Sequence, residues 1–283
     1  MNSKELELFL RFYGRFYDVK VIGKSVLGKN IYAVNLEMNK SFKWALVMAG
    51  IHAREHLSCD LVCEFIKRAF KKKPVFNISF VPLVNPDGAN LCTLGAGELA
   101  EKDRKRLMEI NGSDDFSLFK ANANGVDLNN NWDANWERKF TNKTSPASQG
   151  FYGFALMSEP EVQGLARWAK SLDLFLSISF HLKGEEIYFD FFQDEKRFER
   201  DKKIAEVFAK STGYEIKSTQ DNSSGGFKDW CVQKLKIPAL TIELGDDRFS
   251  HPYPKSELQN IYAKNQNFFE NIEESLKIYE KYT

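Results

Sequence analysis

The segment WALVMAGIHAREHLSCDLV, residues 44–62, joins an apolar run to a short polar stretch and then to the start of an amphipathic run. The apolar run stops at a glycine and predicts a buried strand. Apolar residues at helical spacing in LSCDLVCEFIKRAFKKK, with basic residues at its end, predict a helix. Between the two lie His52, Arg54, Glu55 and His56. The segment therefore predicts a strand, a loop and a helix, with chemically versatile residues in the loop.

Strands and helices continue to alternate along the chain. Two strands joined by the turn LGKN predict a hairpin, and NISFVPLV predicts a strand closed by a Pro-Asp-Gly turn. Residues 89–158 show little periodicity, and long loops of this kind usually carry function. The later segments predict a helix capped by Ser158, the strands LFLSISFH, EIYFDFF and PALTIELG, a helix from about Asp194 to Ser211, and a terminal helix.

Strands that are apolar on both faces and alternate with helices are typical of α/β folds. We expect an α/β fold with a twisted, mixed and mainly parallel β-sheet that has helices on both faces. No linker, repeat or low-complexity tract divides the chain, so we expect residues 1–283 to form a single domain.

Composition excludes several classes of function. With 43% hydrophobic and 28% charged residues the chain is typical of a globular protein. Lys+Arg number 40 and Asp+Glu 39, and this balance gives no electrostatic case for nucleic acid or an anionic membrane as an obligate partner. The oligomeric state is left open by the sequence.

The beginning of the chain and the cysteines bear on cellular location. The first twenty residues lack the basic start, apolar core and cleavage site of a secretory signal. No apolar run approaches the roughly 20 residues of a membrane-spanning helix. The four cysteines form no close-spaced framework, which suits reduced thiols. We therefore expect a soluble cytoplasmic protein.

Residues suited to metal binding and proton transfer follow three of the predicted strands. His52 and Glu55 follow the first, His181 ends LFLSISFH, and Glu243 lies in PALTIELG. Ligands bind at the carboxyl ends of strands in such sheets, although a lone histidine there is more often structural. Two nitrogens and a carboxylate are a typical set for catalytic zinc, with one position kept for water or substrate. We predict one Zn²⁺ held by His52, Glu55 and His181, with Glu243 as the proton acceptor.

Five ordered segments give the chain a family likeness: GIHAREH, NPDG, GVDLNNNW, SFHLKGEEIYF and TIELG. In this order they resemble the zinc carboxypeptidase family, whose pattern is HxxE, NPDG, a DxNRN-type segment, a zinc histidine and a glutamate on the last core strand. The resemblance covers nearly the whole chain. It implies a single zinc peptidase domain with an α/β sandwich, one zinc ion and hydrolysis of amide bonds. It also implies that His52, Glu55 and His181 are the zinc ligands and that Glu243 is the general base.

Two departures from the family pattern concern the substrate. Asn130 stands where carboxypeptidases that trim free C-termini carry an arginine, which clamps the terminal carboxylate in a bidentate fork. The tyrosine that digestive members carry before their Ser-Gly-Gly turn is also missing, because DNSSGG, residues 221–226, occupies that stretch. These departures disfavour recognition of a terminal carboxylate of the digestive type.

A closer resemblance within the family concerns the segments DDFSLFKANANGVDLNNNWDANW and SSGGFKDW. They look like the gamma-D-glutamyl-diaminopimelate endopeptidase branch, bacterial enzymes that cut the stem peptide of peptidoglycan. The resemblance implies that Lys120 stabilises the oxyanion, in place of an arginine of other members. It also implies that Lys228 lines the pocket for the leaving-side residue, where it suits the distal carboxylate of meso-diaminopimelate. The predicted substrate-binding residues are Arg54, Asn129, Asn130 and Lys228.

The leading interpretation is a zinc metallopeptidase that hydrolyses the gamma-D-glutamyl-meso-diaminopimelate bond of peptidoglycan-derived peptides. Three alternatives stay open. One is a zinc carboxypeptidase that acts on ordinary peptides, and another is an amidohydrolase that acts on N-acyl amino acids. The third is a zinc-binding or peptide-binding domain without catalysis. For Lys120 and Lys228 the alternative is a lysine that points to solvent.

Overall fold

The strands form one mixed sheet in the computed structural model, which describes residues 1–218 and 223–283. They are β1 (Asp18–Lys24), β2 (Asn30–Leu36), β3 (Trp44–Ala49), β4 (Asn77–Val81), β5 (Leu174–Leu182), β6 (Glu186–Tyr188), β7 (Glu215–Lys217) and β8 (Ala239–Leu244). Their order across the sheet is β1-β2-β4-β3-β5-β8-β6-β7. Neighbours β4, β3, β5 and β8 pair in parallel, as do β6 and β7, whereas β1–β2, β2–β4 and β6–β8 are antiparallel.

Helices cover both faces of the sheet. They are α1 (Ser3–Tyr13), α2 (Leu57–Lys72), α3 (Pro86–Leu94), α4 (Glu101–Asn111), α5 (Pro160–Ser171), α6 (Glu195–Thr212), α7 (Phe227–Trp230), α8 (Leu258–Lys264) and α9 (Phe268–Tyr282). Residues of α2, α6 and α9 pack in the core on one face, and residues of α5 and α7 pack in the core on the other. The predicted α/β fold with a mixed, mainly parallel sheet is confirmed.

Strand β3 reads as an uninterrupted apolar run because both of its faces are buried. Its side chains alternate between the two cores, with Val47 on one side and Leu46 and Met48 on the other. All three are fully buried. Because both faces of a parallel strand are covered, polar residues are excluded from its whole length, and its alternation disappears from the sequence.

Three predictions about local structure are wrong. The Pro-Asp-Gly turn is the start of α3, because the Asn85 side chain accepts a hydrogen bond from Gly88 N (2.9 Å) and caps a helix with proline at its start. The stretch expected to be a loop contains most of α3 and all of α4, and α4 is largely exposed, so its apolar period is weak. Helix α5 begins after Glu159 rather than at Ser158, whose hydroxyl donates to the Glu159 carboxylate (2.7 Å).

Other predicted elements agree with the structure. The hairpin of β1 and β2, helix α2, and strands β5 and β8 lie where the patterns indicated. The EIYFDFF segment is a strand only over Glu186–Tyr188. None of the described helices combines the length and apolar character needed to cross a membrane.

Gly50 ends β3 and sets the direction of the chain toward His52. Its φ is +63°, and a Cβ there would lie 2.6 Å from Cys59 Sγ and 2.7 Å from Leu83 Cδ1. We expect Gly50→Ala to lower the free energy of unfolding by about 2–4 kcal/mol, since overpacking and a left-handed backbone both contribute. Urea denaturation measures this loss.

Gly28 provides the matched control for that substitution. Its φ is +80°, and nothing lies within 4 Å of a Cβ built there. We therefore expect Gly28→Ala to lower the free energy of unfolding by only about 1–2 kcal/mol, the cost of a left-handed backbone for alanine. Equal losses in the two variants would contradict the argument from close packing at Gly50.

Candidate active site

Three buried side chains meet at the carboxyl edge of β3 and β5. His52 and Glu55 lie in the turn after β3, and His181 lies near the end of β5. The Glu55 carboxylate is 2.8 Å from His52 Nδ1 and 3.1 Å from His181 Nδ1. The two Nδ1 atoms are 3.1 Å apart. Within residues 1–218 and 223–283, this is the one group of three or more His, Cys, Asp or Glu side chains whose ligand atoms lie within 4.8 Å of one another.

The geometry of this group fits a metal ion. Atoms able to ligate a cation converge from three sides, and the side chains of His52, Glu55 and His181 are 6%, 5% and 1% exposed. Two imidazole nitrogens and a carboxylate form the donor set of many catalytic zinc sites. A divalent cation bound between them would offset the repulsion among the lone pairs of these buried donor atoms. The site is therefore a candidate zinc centre.

Main-chain contacts set this arrangement. Parallel pairing aligns Ala49 of β3 with Phe180 of β5, so both strands deliver their next residues to the same edge. The backbone N–H of Leu182 donates to Glu55 Oε2 (3.3 Å). The turn after β3 is held by a bond from Ala53 N to the carbonyl of Lys120 (3.1 Å).

Asp127 connects His52 to Lys120. Its Oδ1 lies 3.3 Å from His52 Nε2, and its Oδ2 lies 3.1 Å from Lys120 Nζ and accepts a bond from Gly150 N (3.1 Å). A carboxylate on the far nitrogen of a metal-binding histidine orients the ring and leaves the other nitrogen for the metal. No role for Asp127 was predicted from the sequence, although its position at the start of the segment Asp-Leu-Asn-Asn-Asn was an available signal.

Neighbouring charges and hydrogen bonds hold the carboxylates of Asp127 and Glu55 in the ionised form. Burial alone would raise the pKa of Asp127, but the charge of Lys120 and its contacts with His52 hold that pKa well below its usual range. Burial would also raise the pKa of Glu55, and the contacts with His52 and His181 hold it well below the ordinary value. Both groups are therefore charged at neutral pH and suited to a site that binds a cation.

Glu243 lies on β8, beside His181 in the parallel register. It lines a cavity of about 210 Å³ together with Asn129, Tyr188, Ser223, Gly226, Lys228, Asp229 and Thr241. Burial raises the pKa of Glu243 to about 8, and the negative charge of Glu55 adds to the effect. A cation bound by His52, Glu55 and His181 would favour the ionised form of this carboxylate, which is the form able to accept a proton.

Lys228 lies inside the same cavity. The residue is 4% exposed, and its ammonium donates to the carbonyl of Asp190 (2.6 Å). It also forms an ion pair with Asp229 (2.7 Å). The alternative of a lysine that points to solvent is therefore wrong for Lys228. Lys120 is paired with Asp127 and its side chain is 23% exposed, so that alternative is wrong for Lys120 also.

The other predicted substrate-binding residues occupy different places. Asn129 lines the cavity, and its Oδ1 accepts a bond from Phe227 N (3.0 Å). Asn130 is half-buried, with its backbone against Gly225. Arg54 Nη1 donates to the carbonyl of Leu118 (3.3 Å) and to Gln149 Oε1 (3.2 Å), which ties it to the long loops. Of the DNSSGG stretch, Asp221 and Asn222 lie outside the described residues.

Comparisons with known proteins agree with this geometry. A family model described as zinc carboxypeptidase matches residues 4–268. A gamma-D-glutamyl-L-diamino acid endopeptidase 1 of Lysinibacillus sphaericus is 32% identical over 86% of this chain and 64% of that protein. The uncharacterized protein YqgT of Bacillus subtilis (strain 168) is 30% identical over 87% of this chain and 69% of that protein.

A solved structure agrees with the fold. Carboxypeptidase A of Helicoverpa armigera superposes with a TM-score of 0.73 at 16% identity, covering 98% of this chain and 71% of that one. This likeness concerns the fold alone. The chain thus spans less than two thirds of the first relative and about seven tenths of the second relative and of this structure.

His181→Ala tests the metal site. We expect the wild-type protein to bind one zinc ion and the variant to lose most of it, because one of three ligands is gone. Zinc content after dialysis, and the rise in Tm on adding zinc, measure the difference. His251→Ala removes a histidine outside the ligand group and serves as the control. A His181→Ala protein that bound zinc as tightly as the wild type would contradict the site.

Proposed function

Because the chain belongs to the zinc carboxypeptidase family of metallopeptidases, we propose that it hydrolyses the gamma-D-glutamyl-meso-diaminopimelate amide bond of peptidoglycan stem peptides. The first relative is named for cleavage between gamma-D-glutamate and a diamino acid. The observation that carries the proposal is a buried lysine, Lys228, in the cavity beside Glu243, since a carboxylate distinguishes diaminopimelate from lysine.

His52, Glu55 and His181 would hold the zinc ion. When bound, zinc supplies Lewis acidity, which polarises a carbonyl and lowers the pKa of water. Glu243 accepts a proton from the attacking water and returns it to the leaving amine. Lys120 supplies positive charge for the oxygen that becomes anionic, and Asp127 keeps His52 oriented.

The remaining assignments concern substrate placement. Asn129 and Lys228 bind the leaving-side residue, and Asn130 and Arg54 bind the peptide outside the cavity. The substrate is a peptide derived from peptidoglycan. A cytoplasmic location, as expected from the sequence, stays a prediction.

Glu243→Gln tests the general base. The amide keeps the size of the side chain but does not take the proton of water, so we expect kcat to fall at least about a hundredfold with zinc content unchanged. The assay follows release of diaminopimelate from L-Ala-gamma-D-Glu-meso-diaminopimelate. A rate within threefold of wild type would show that another group is the base.

Lys228→Ala tests the selection of the diamino acid. We expect the wild-type kcat/KM for the diaminopimelate peptide to exceed that for its lysine counterpart at least about tenfold, which corresponds to about 1.4 kcal/mol. The variant should lose most of this preference while it retains zinc. Equal kcat/KM for the two peptides in the wild type would remove Lys228 from the explanation of specificity.

Blocking the C-terminus separates the proposed activity from that of an ordinary carboxypeptidase. Asn130 lacks the charge of an arginine clamp. We therefore expect that amidation of the α-carboxylate of the diamino acid, which is the C-terminus of the substrate, lowers kcat/KM by less than about tenfold. A common dipeptide substrate of carboxypeptidases and an N-acyl amino acid serve as comparison substrates. Loss of activity on the blocked peptide, with rapid turnover of the ordinary dipeptide, would favour the carboxypeptidase alternative. Preference for the N-acyl amino acid would favour the amidohydrolase.

A further inference from the structure

The cavity beside Glu243 contains a second carboxylate next to Lys228. Asp229 lines it and is 1% exposed, and its Oδ1 lies 2.7 Å from the Lys228 ammonium. A ligand carboxylate that approaches Lys228 therefore also approaches Asp229, and like charges repel. A ligand with an ammonium beside its carboxylate avoids this cost.

Both charged groups are held in place by the surrounding protein. The Ser223 hydroxyl donates to Asp229 Oδ2, and Gly226 leaves room for that oxygen, since a Cβ there would lie 2.9 Å from it. The Lys228 ammonium donates to the carbonyl of Asp190 (2.6 Å) and lies 5.6 Å from the centre of the Phe191 ring. Groups held in position before binding lose little entropy when a ligand arrives.

We infer that Asp229 is a specificity residue that binds the distal ammonium of the diamino acid, while Lys228 binds the carboxylate on the same carbon. This inference rests on the proposed function. The distal carbon of meso-diaminopimelate carries both groups, whereas lysine has only the ammonium and 2-aminopimelate only the carboxylate. The cavity of about 210 Å³ has room for the end of such a side chain.

Three peptides test the inference on the zinc-loaded wild-type protein. They are L-Ala-gamma-D-Glu-X with X as meso-diaminopimelate, L-2-aminopimelate or L-lysine. We expect kcat/KM for the diaminopimelate peptide to exceed that for the 2-aminopimelate peptide at least about tenfold, since a charge-assisted hydrogen bond is lost. Equal values for these two peptides would overturn the role of Asp229. If both exceeded the lysine peptide, the proposed function would stand. Failure to cleave any of the three would overturn the proposed function, and this inference with it.

Asp229→Asn provides the second arm. It keeps the shape of the side chain and an acceptor for Ser223, so we expect about a tenfold loss on the diaminopimelate peptide and no loss on the 2-aminopimelate peptide, whose carboxylate is no longer repelled. Equal losses on both peptides would indicate a structural role and overturn the inference. Asp133→Asn is the matched control, because it removes a carboxylate from an exposed ion pair with Lys234 (3.1 Å). Should Asp229→Asn fail to fold or to retain zinc, the wild-type peptide series decides alone.

Discussion

The parallel pairing of β3, β5 and β8 is the constraint on which the site depends. The three strands run side by side, so their carboxyl ends meet at one edge of the sheet. That edge receives His52 and Glu55 from the turn after β3, His181 from β5 and Glu243 from β8. A site assembled from these strand ends inherits the rigidity of the sheet, because each of the three strands is hydrogen-bonded to a neighbour on both sides.

Burial at this edge makes electrostatics decisive. Glu55 and Asp127 are enclosed but stay ionised, because each lies against positively charged or hydrogen-bonding partners. Glu243 lacks an equally strong partner, so its pKa rises to about 8. Three carboxylates in one region thus differ in proton affinity, because their charged and hydrogen-bonding neighbours differ.

The proposed selection of the substrate in the cavity beside Glu243 rests on the same electrostatic effects. Lys228 and Asp229 are adjacent in sequence, and both line the cavity near the strand that carries Glu243. An ion pair in a confined space costs desolvation, which a ligand of complementary charges offsets more fully than a ligand of one charge. In the proposed function, Asn130 in place of an arginine disfavours recognition of the substrate's terminal carboxylate, and the Lys228–Asp229 pair favours recognition of charges at the distal end of the diamino acid.

The sequence by itself determined the fold class and predicted the zinc ligands and the general base, because these follow from apolar strand patterns and from ordered motifs that each lie within a few residues. It did not reveal α4, whose exposed surface leaves little apolar period, or the helix start at Asn85, where capping overrides turn chemistry. Only the tertiary structure decided that Asp127 contacts both His52 and Lys120, and that Lys228 is buried in an ion pair with Asp229. Such contacts join residues that are distant in the chain, or depend on which way a side chain points. The physical reason is that a local sequence pattern indicates which face of a strand or helix is buried. Which side chain a residue contacts depends on how separate strands, helices and loops pack together.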